Sequence, residues 1–276
     1  MDVFSKELKK LTEKSFQLFF ILSILSGCTS LSLVNTIPEV ESPTMQGANG
    51  RIGFELAGAG GKELILIDDP SKRPVVVNSS NLKTSTAFLT RTGALWYPTG
   101  NLVLGGGIQN SSAIYIKGKF NFLNSYREDA EFGLWYMAIN FESTYQQAKK
   151  TGDNNGLGGA SGFPWEGTSQ STSGTGGFSI GYQLFRRVVP FLGVNYQQFQ
   201  TTGKVVQSLS TNGADLGGSY DLGIVTGHTQ VVGFGLEWRP KNRIFITPLV
   251  QYFNFEWGGN KIQDVTGSIK LTYVPL

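Results

Sequence analysis

The chain has 276 residues, a formal charge of +3 and a single cysteine, Cys28. So even a balance of charges argues against a nucleic-acid groove, which needs clustered cations interleaved with aromatics, and one cysteine excludes an internal disulfide. Glycine and aromatic residues are abundant instead, with 36 Gly, 19 Phe, 10 Tyr and 5 Trp.

The first fourteen residues carry Lys6, Lys9, Lys10 and Lys14 beside Asp2, Glu7 and Glu13, and an almost uncharged run follows from Phe16 to Leu25. A basic start, a short apolar run and small residues after it make the layout of a secretory signal. The run is about half of the ~20 residues that a membrane-spanning helix needs. Leu25-Ser26-Gly27-Cys28 resembles the lipobox of bacterial lipoproteins. That resemblance implies a diacylglycerol on the Cys28 thiol, cleavage before the cysteine and acylation of the new amino group. Acyl chains in that number exceed what stable anchoring requires, at about 0.8 kcal/mol per buried methylene. The alternative is an ordinary signal in which Cys28 is incidental. Residues 1–27 are then the leader, and the mature chain keeps 19 basic and 17 acidic residues. Thr29 follows the cysteine where an aspartate would signal retention, so the resemblance implies sorting to the outer membrane.

From residue 28 to 49 the chain is polar, with Pro38 and Pro43, and is expected to be an acylated tether. Residues 50–276 alternate with period two. Ile52, Phe54 and Leu56 oppose Arg51, Gly53 and Glu55; Ile114, Ile116, Phe120 and Phe122 oppose Tyr115, Lys117, Lys119 and Asn121. Val232, Phe234, Leu236 and Trp238 oppose Gly233, Gly235, Glu237 and Arg239, and Val265, Gly267, Ile269, Leu271 and Tyr273 oppose Thr266, Ser268, Lys270 and Thr272. In a strand each set lines one side of the sheet. Several of these runs exceed the usual 5–6 residues of a globular strand and match the ~9–11 that cross a membrane when tilted.

Strands are expected near residues 55, 90, 105, 118, 136, 181, 195, 234, 250 and 270. Residues 62–77 are either a loop or two further short strands, and residues 131–142 alternate poorly. Short turns at 97–101, 186–190 and 239–243, with a slightly longer one at 124–129, contrast with long polar stretches at 59–83, 143–176 and 201–229. That asymmetry, with apolar residues facing out and mixed polar residues facing in, is the layout of an outer-membrane barrel. The fold class is therefore all-β: an antiparallel up-and-down transmembrane β-barrel of about ten strands, with eight to twelve allowed. Over residues 50–276 the chain resembles small outer-membrane β-barrel proteins, departing from them in ending LTYVPL, with Tyr273 short of the terminus. An even strand number places both ends of the barrel segment on the periplasmic side. The lipid is expected in the periplasmic leaflet, with the tether entering the first strand from there and the long loops outside.

Chemistry is sparse. Ser179 lies in a G-x-S-x-G run, Gly177 to Gly181, and Asp221 and His228 follow in the order of α/β-hydrolases, but that motif needs a strand–turn–helix elbow and here sits inside an alternating strand. No catalytic site is expected, and Ser179 and His228 remain weak candidates for a lipid hydrolase. One histidine and no cysteine cluster give no metal site, the Gly-rich 151–176 lacks G-K-[ST], and Asp153, Asn154 and Asn155 lack EF-hand spacing; no cofactor is expected. Charges predicted for the lumen are Arg51, Glu55, Arg91, Lys117, Lys119, Glu131, Glu237, Arg239 and Lys270. In a barrel of this size side chains about fill the interior, so these pair and brace it, or else line a narrow solute path. The expected role is structural or interactive, through external loops that meet another envelope protein or external ligand, with membrane lipid as the constant partner. A narrow passive channel is the alternative. A soluble lipid-binding barrel of lipocalin type, suggested by Gly133-Leu134-Trp135, is a third.

Overall fold

The computed structural model describes residues 30–47, 49–67, 82–110, 112–124, 133–152, 164–207, 210–211, 214–215 and 218–275. Eleven strands form one antiparallel sheet: β1 (Leu31–Thr36), β2 (Arg51–Ile67), β3 (Lys83–Thr99), β4 (Leu102–Gln109), β5 (Ala113–Leu123), β6 (Trp135–Gly152), β7 (Trp165–Tyr182), β8 (Val188–Gln207), β11 (Gly218–Lys241), β12 (Ile244–Trp257) and β13 (Asn260–Tyr273). Between β8 and β11, β9 (Ser210–Thr211) and β10 (Ala214–Asp215) make a two-residue ladder of their own. The ten wall strands, β2 to β8 and β11 to β13, pair with their neighbours in chain order, β8 directly with β11, and β2 pairs with both β3 and β13, which closes the barrel. The ten wall strands fall on the ten expected positions.

Alternation explains the orientation of each wall strand. Ile52, Phe54, Leu56, Ile114, Ile116, Val232, Phe234, Val265, Ile269 and Leu271 are exposed on the outer surface, whereas Glu55, Lys119, Glu237 and Lys270 are buried inside. Register stacks the outer residues into rings. Trp238 lies level with Ile246 and Leu271; above them come Phe234 with Leu192 and Val250, then Val232 with Val194, Tyr252 and Val265. A tilted strand of about ten residues at ~3.4 Å rise covers the ~25 Å apolar band of a membrane barrel. Water-soluble barrels of lipocalin type put their apolar faces inward, so that expectation fails: Trp135 of the Gly133-Leu134-Trp135 run stands exposed on the outside.

One end carries the connections Gly100–Asn101, Gln183–Arg187 and Asn242–Arg243, together with Arg51 and Tyr273; the other carries the ends of β2, β6, β8 and β12. Not every connection at the second end is long. Gly258 and Gly259, at φ 55° and 83°, join Trp257 to Asn260, a two-residue hairpin whose positive φ values suit glycine.

Two expectations are corrected. The stretches 143–176 and 201–229 are mostly strand, not loop: β6, β7, β8 and β11 run far past the apolar band, pairing Gly152 with Trp165 and Gln207 with Gly218. Ser, Thr, Gln and Gly form that ladder, and such residues alternate without an apolar face to mark them. Likewise 59–67 continues β2. The second correction concerns residues 31–46, which are not a free tether. Leu31 pairs with Ile67 and Thr36 with Gly61, so β1 starts at the loop end and takes the edge of β2 that β13, paired only with Phe54–Ala59, leaves open. Residues 37–46 then descend inside the barrel, all but Glu41 buried. Gly47 ends the descent beneath Tyr97, whose ring atoms lie 2.6 Å from where a β-carbon would stand.

Candidate functional site

The lumen is the densest polar site among the described residues, and the descending segment is at its centre. Strand parity points Lys117 and Lys119 of β5, Glu237 and Arg239 of β11 and Lys270 of β13 inward, where each meets that segment or a lumen partner. Lys117 donates to Glu41 at 2.9 Å and to Glu55 at 2.6 Å, and Lys270 forms a second ion pair with Glu41. Glu55 also accepts from the Tyr115 hydroxyl at 2.6 Å. Glu237, fully buried, accepts from Ser42 (2.8 Å), Thr44 (2.5 Å) and Gln46 (3.0 Å) on one oxygen and from Arg239 Nε (2.8 Å) on the other. Lys119 donates to the carbonyls of Ser42 and Thr44 at 3.0 and 2.7 Å. Buried charge is tolerated only when paired and hydrogen-bonded, and the segment supplies the missing halves.

The same segment has no ladder of its own below Thr36, so its backbone is satisfied by lumen side chains. Asn195 donates to the carbonyl of Glu39 at 2.6 Å, Asn121 to that of Pro43 at 2.6 Å, and the Val40 amide donates to Gln251 at 2.7 Å. Above it, Leu31, Leu33, Ile37 and Val40 pack with Leu64, Trp165, Phe199, Val205, Phe253, Phe255 and Trp257 in one apolar cluster at the loop end. Below it, Met45 packs with Leu95, Tyr97, Val103, Phe245 and Val274. The lumen is thus stoppered by apolar groups at both ends, with the ion pairs between them. A cavity of about 20 Å³ beside Glu39, Glu41, Lys117 and Lys270 has room for about one water.

Seven of the nine predicted lumen charges lie in this interior. Arg91 is the seventh, ion-paired to Glu142 at 2.6 Å and stacked 4.1 Å from the Tyr115 ring. Arg51 instead sits at the rim, bonded to the carbonyl of Pro275, because it opens its strand. Glu131 and Cys28 lie outside the described residues. Sequence reasoning missed Glu39, Glu41 and Glu142; Glu142 follows β6 parity, whereas Glu39 and Glu41 stand in an aperiodic, proline-containing run that carries no such signal. Ser179 and His228 are not brought together: Ser179 is buried facing the lumen, while His228 is on the outer face beside Glu256.

That outer face forms the second feature. Above the apolar band, Gln198 lies level with His228, and His228 with Glu256; one ring higher, Gln200 lies level with Thr172 and Thr226. Together they line a groove of about 980 Å³ on the outside of β7, β8, β11 and β12.

An apolar belt around a polar, plugged lumen defines a transmembrane β-barrel. No family model matches the chain, and no curated protein matches it. Among solved structures the chain is similar to Ail, the attachment invasion locus protein of Yersinia pestis, at 14% identity and a TM-score of 0.31, covering 82% of this chain and 99% of that one. It is also similar to Neisserial surface protein A, at 12% identity and 0.27 over 83% and 97% of the two chains, and to the translocator domain of the autotransporter NalP from Neisseria meningitidis, at 12% and 0.36 over 82% and 89%.

Proposed function

We propose that the protein is a lipid-anchored barrel of the bacterial outer membrane, closed to solutes by its own N-terminal segment, with a structural or surface-interaction role borne by the loop end. The observation that carries this reading is the occupied lumen. Residues 37–46 fill it and supply hydrogen bonds or ion pairs to Glu237, Lys117, Lys119 and Lys270. A narrow passive channel requires that segment to leave, stranding several buried charges. The protein then serves as a surface platform, and β6, β7, β8 and β11, which rise well above the apolar band, are the part a partner meets.

The same path sets the side on which a lipid carried by Cys28 would sit. Ser30 leads into Leu31 at the loop end, and Cys28 is two residues away, at most ~7 Å along the chain. An acyl group on Cys28 therefore inserts from the loop side, in the outer leaflet, instead of the periplasmic leaflet that a tether below the barrel implies.

Single cysteines labelled on intact cells with a membrane-impermeant maleimide test this arrangement, because an acylated Cys28 contributes no free thiol. Ser30→Cys and Lys149→Cys label on intact cells, and Asn242→Cys labels only after permeabilisation. Labelling of Ser30→Cys together with Asn242→Cys would overturn the threaded path, and strong labelling of the unsubstituted chain would overturn acylation of Cys28.

A further inference from the structure

The groove outside β7, β8, β11 and β12 has no part in closing the lumen. Gly174 leaves part of its floor open, since a β-carbon there would meet nothing within 4 Å. Tyr196 and His228 lie side by side along it, ring centroids 6.1 Å apart and planes 31° from parallel. Gln198, whose amide donates to the Tyr196 hydroxyl at 3.3 Å, continues upward to Gln200, with Thr172 and Thr226 to either side. The charges at its edge cancel. Glu256 is ion-paired to Lys261 at 3.2 Å and stands 4.0 Å from His228.

We infer that this groove holds the saccharide portion of an outer-leaflet glycolipid. Three observations converge on that ligand. Primary amides and hydroxyls each donate and accept, so Gln198, Gln200, Thr172 and Thr226 offer the two-way hydrogen bonding that sugar hydroxyls need. Tyr196 and His228 add flat apolar ring surface, and a concave site with ring surfaces and a few convergent polar groups is the usual form of a small-ligand pocket. Among the described residues, the groove's lining includes no lysine or arginine to select a phosphate, as clusters of those residues would do. Position makes the fourth argument. The ring of Val194, Val232, Tyr252 and Val265 is the top of the apolar band, and the groove begins at the next ring, with Tyr196 level with Gln230 and Asn254. The surface is continuous with the lipid-facing belt, at the height where the first sugars of a glycolipid stand.

The inference rests on the reading that the loop end faces outward, but its test does not. The full chain is purified in detergent micelles, and binding of a lipooligosaccharide with neutral core sugars is measured by native mass spectrometry beside phosphatidylglycerol. Tyr196→Ala with Gln198→Ala weakens lipooligosaccharide binding at least tenfold and leaves phosphatidylglycerol unchanged; Phe54→Ala, on a remote part of the belt, changes neither. All three positions are exposed, so the fold is kept, and an unchanged heat-dependent gel mobility verifies it. Equal lipooligosaccharide affinity in the double variant, or equal loss of both lipids, overturns the assignment. Failure of the outward orientation would appear instead in the cell-labelling pattern, whatever the micelles show.

Discussion

At the scale of residues, Glu41 carries the most consequence. It is the acceptor for both Lys117 and Lys270, and Lys117 alone has a second carboxylate, Glu55. Removing one member of a buried pair leaves the other desolvated and uncompensated, at a cost of about 3–5 kcal/mol. Glu41→Gln is therefore expected to lower markedly the temperature at which the folded, fast-migrating form in detergent converts to the unfolded one. An unchanged conversion temperature would mean that Lys270 finds another partner. Cys28→Ala is expected to act elsewhere: the precursor stays uncleaved or mislocalised while the barrel still folds in detergent. A normally localised, mature product from that variant would contradict the lipobox. These residues also show what a sequence displays. Lys117, Lys119, Glu237 and Lys270 were legible because each alternates with a large apolar neighbour, and period two assigns them a face. Glu41 was not, since neither alternation nor spacing says that a proline-flanked run returns into a barrel.

At the scale of elements, β1 and the segment after it decide the state of the lumen. The wall needs no strand from residues 31–46: β2 is paired to β3 along Arg51–Ile65 and to β13 along Phe54–Ala59 without them. Deleting 31–46 is expected to leave a barrel that still shifts in mobility on heating but conducts ions in planar bilayers. A deletion variant that folds and remains silent would place closure in the wall side chains alone. The wall strands were legible where they cross lipid and illegible where they leave it. Phe234 or Ile269 advertises its face because lipid demands an apolar one. In β7, residues 167–174 need only pair their backbones, and any of Ser, Thr, Gln or Gly does so, so the pattern reads as loop although the ladder continues to Trp165. Strand position thus survives in the sequence better than strand length.

At the scale of the whole molecule, two features meet: an outer surface whose apolar band fits a bilayer, and an interior with apolar clusters at both ends and paired charges between. The first was foreseen from alternation; the second was foreseen only as side chains bracing one another, not as a threaded backbone. Together they are what the proposed closed barrel rests on: a wall that fits a bilayer, a lumen filled by residues 37–46, and β1 held at the loop end beside a tall polar rim. The most direct test of that claim is the conductance of the purified full-length chain in planar bilayers. Silence in the unaltered protein, with discrete conductance after deletion of 31–46, is the predicted result. Discrete open events in the unaltered protein would contradict the closed lumen and make a passive channel the better description.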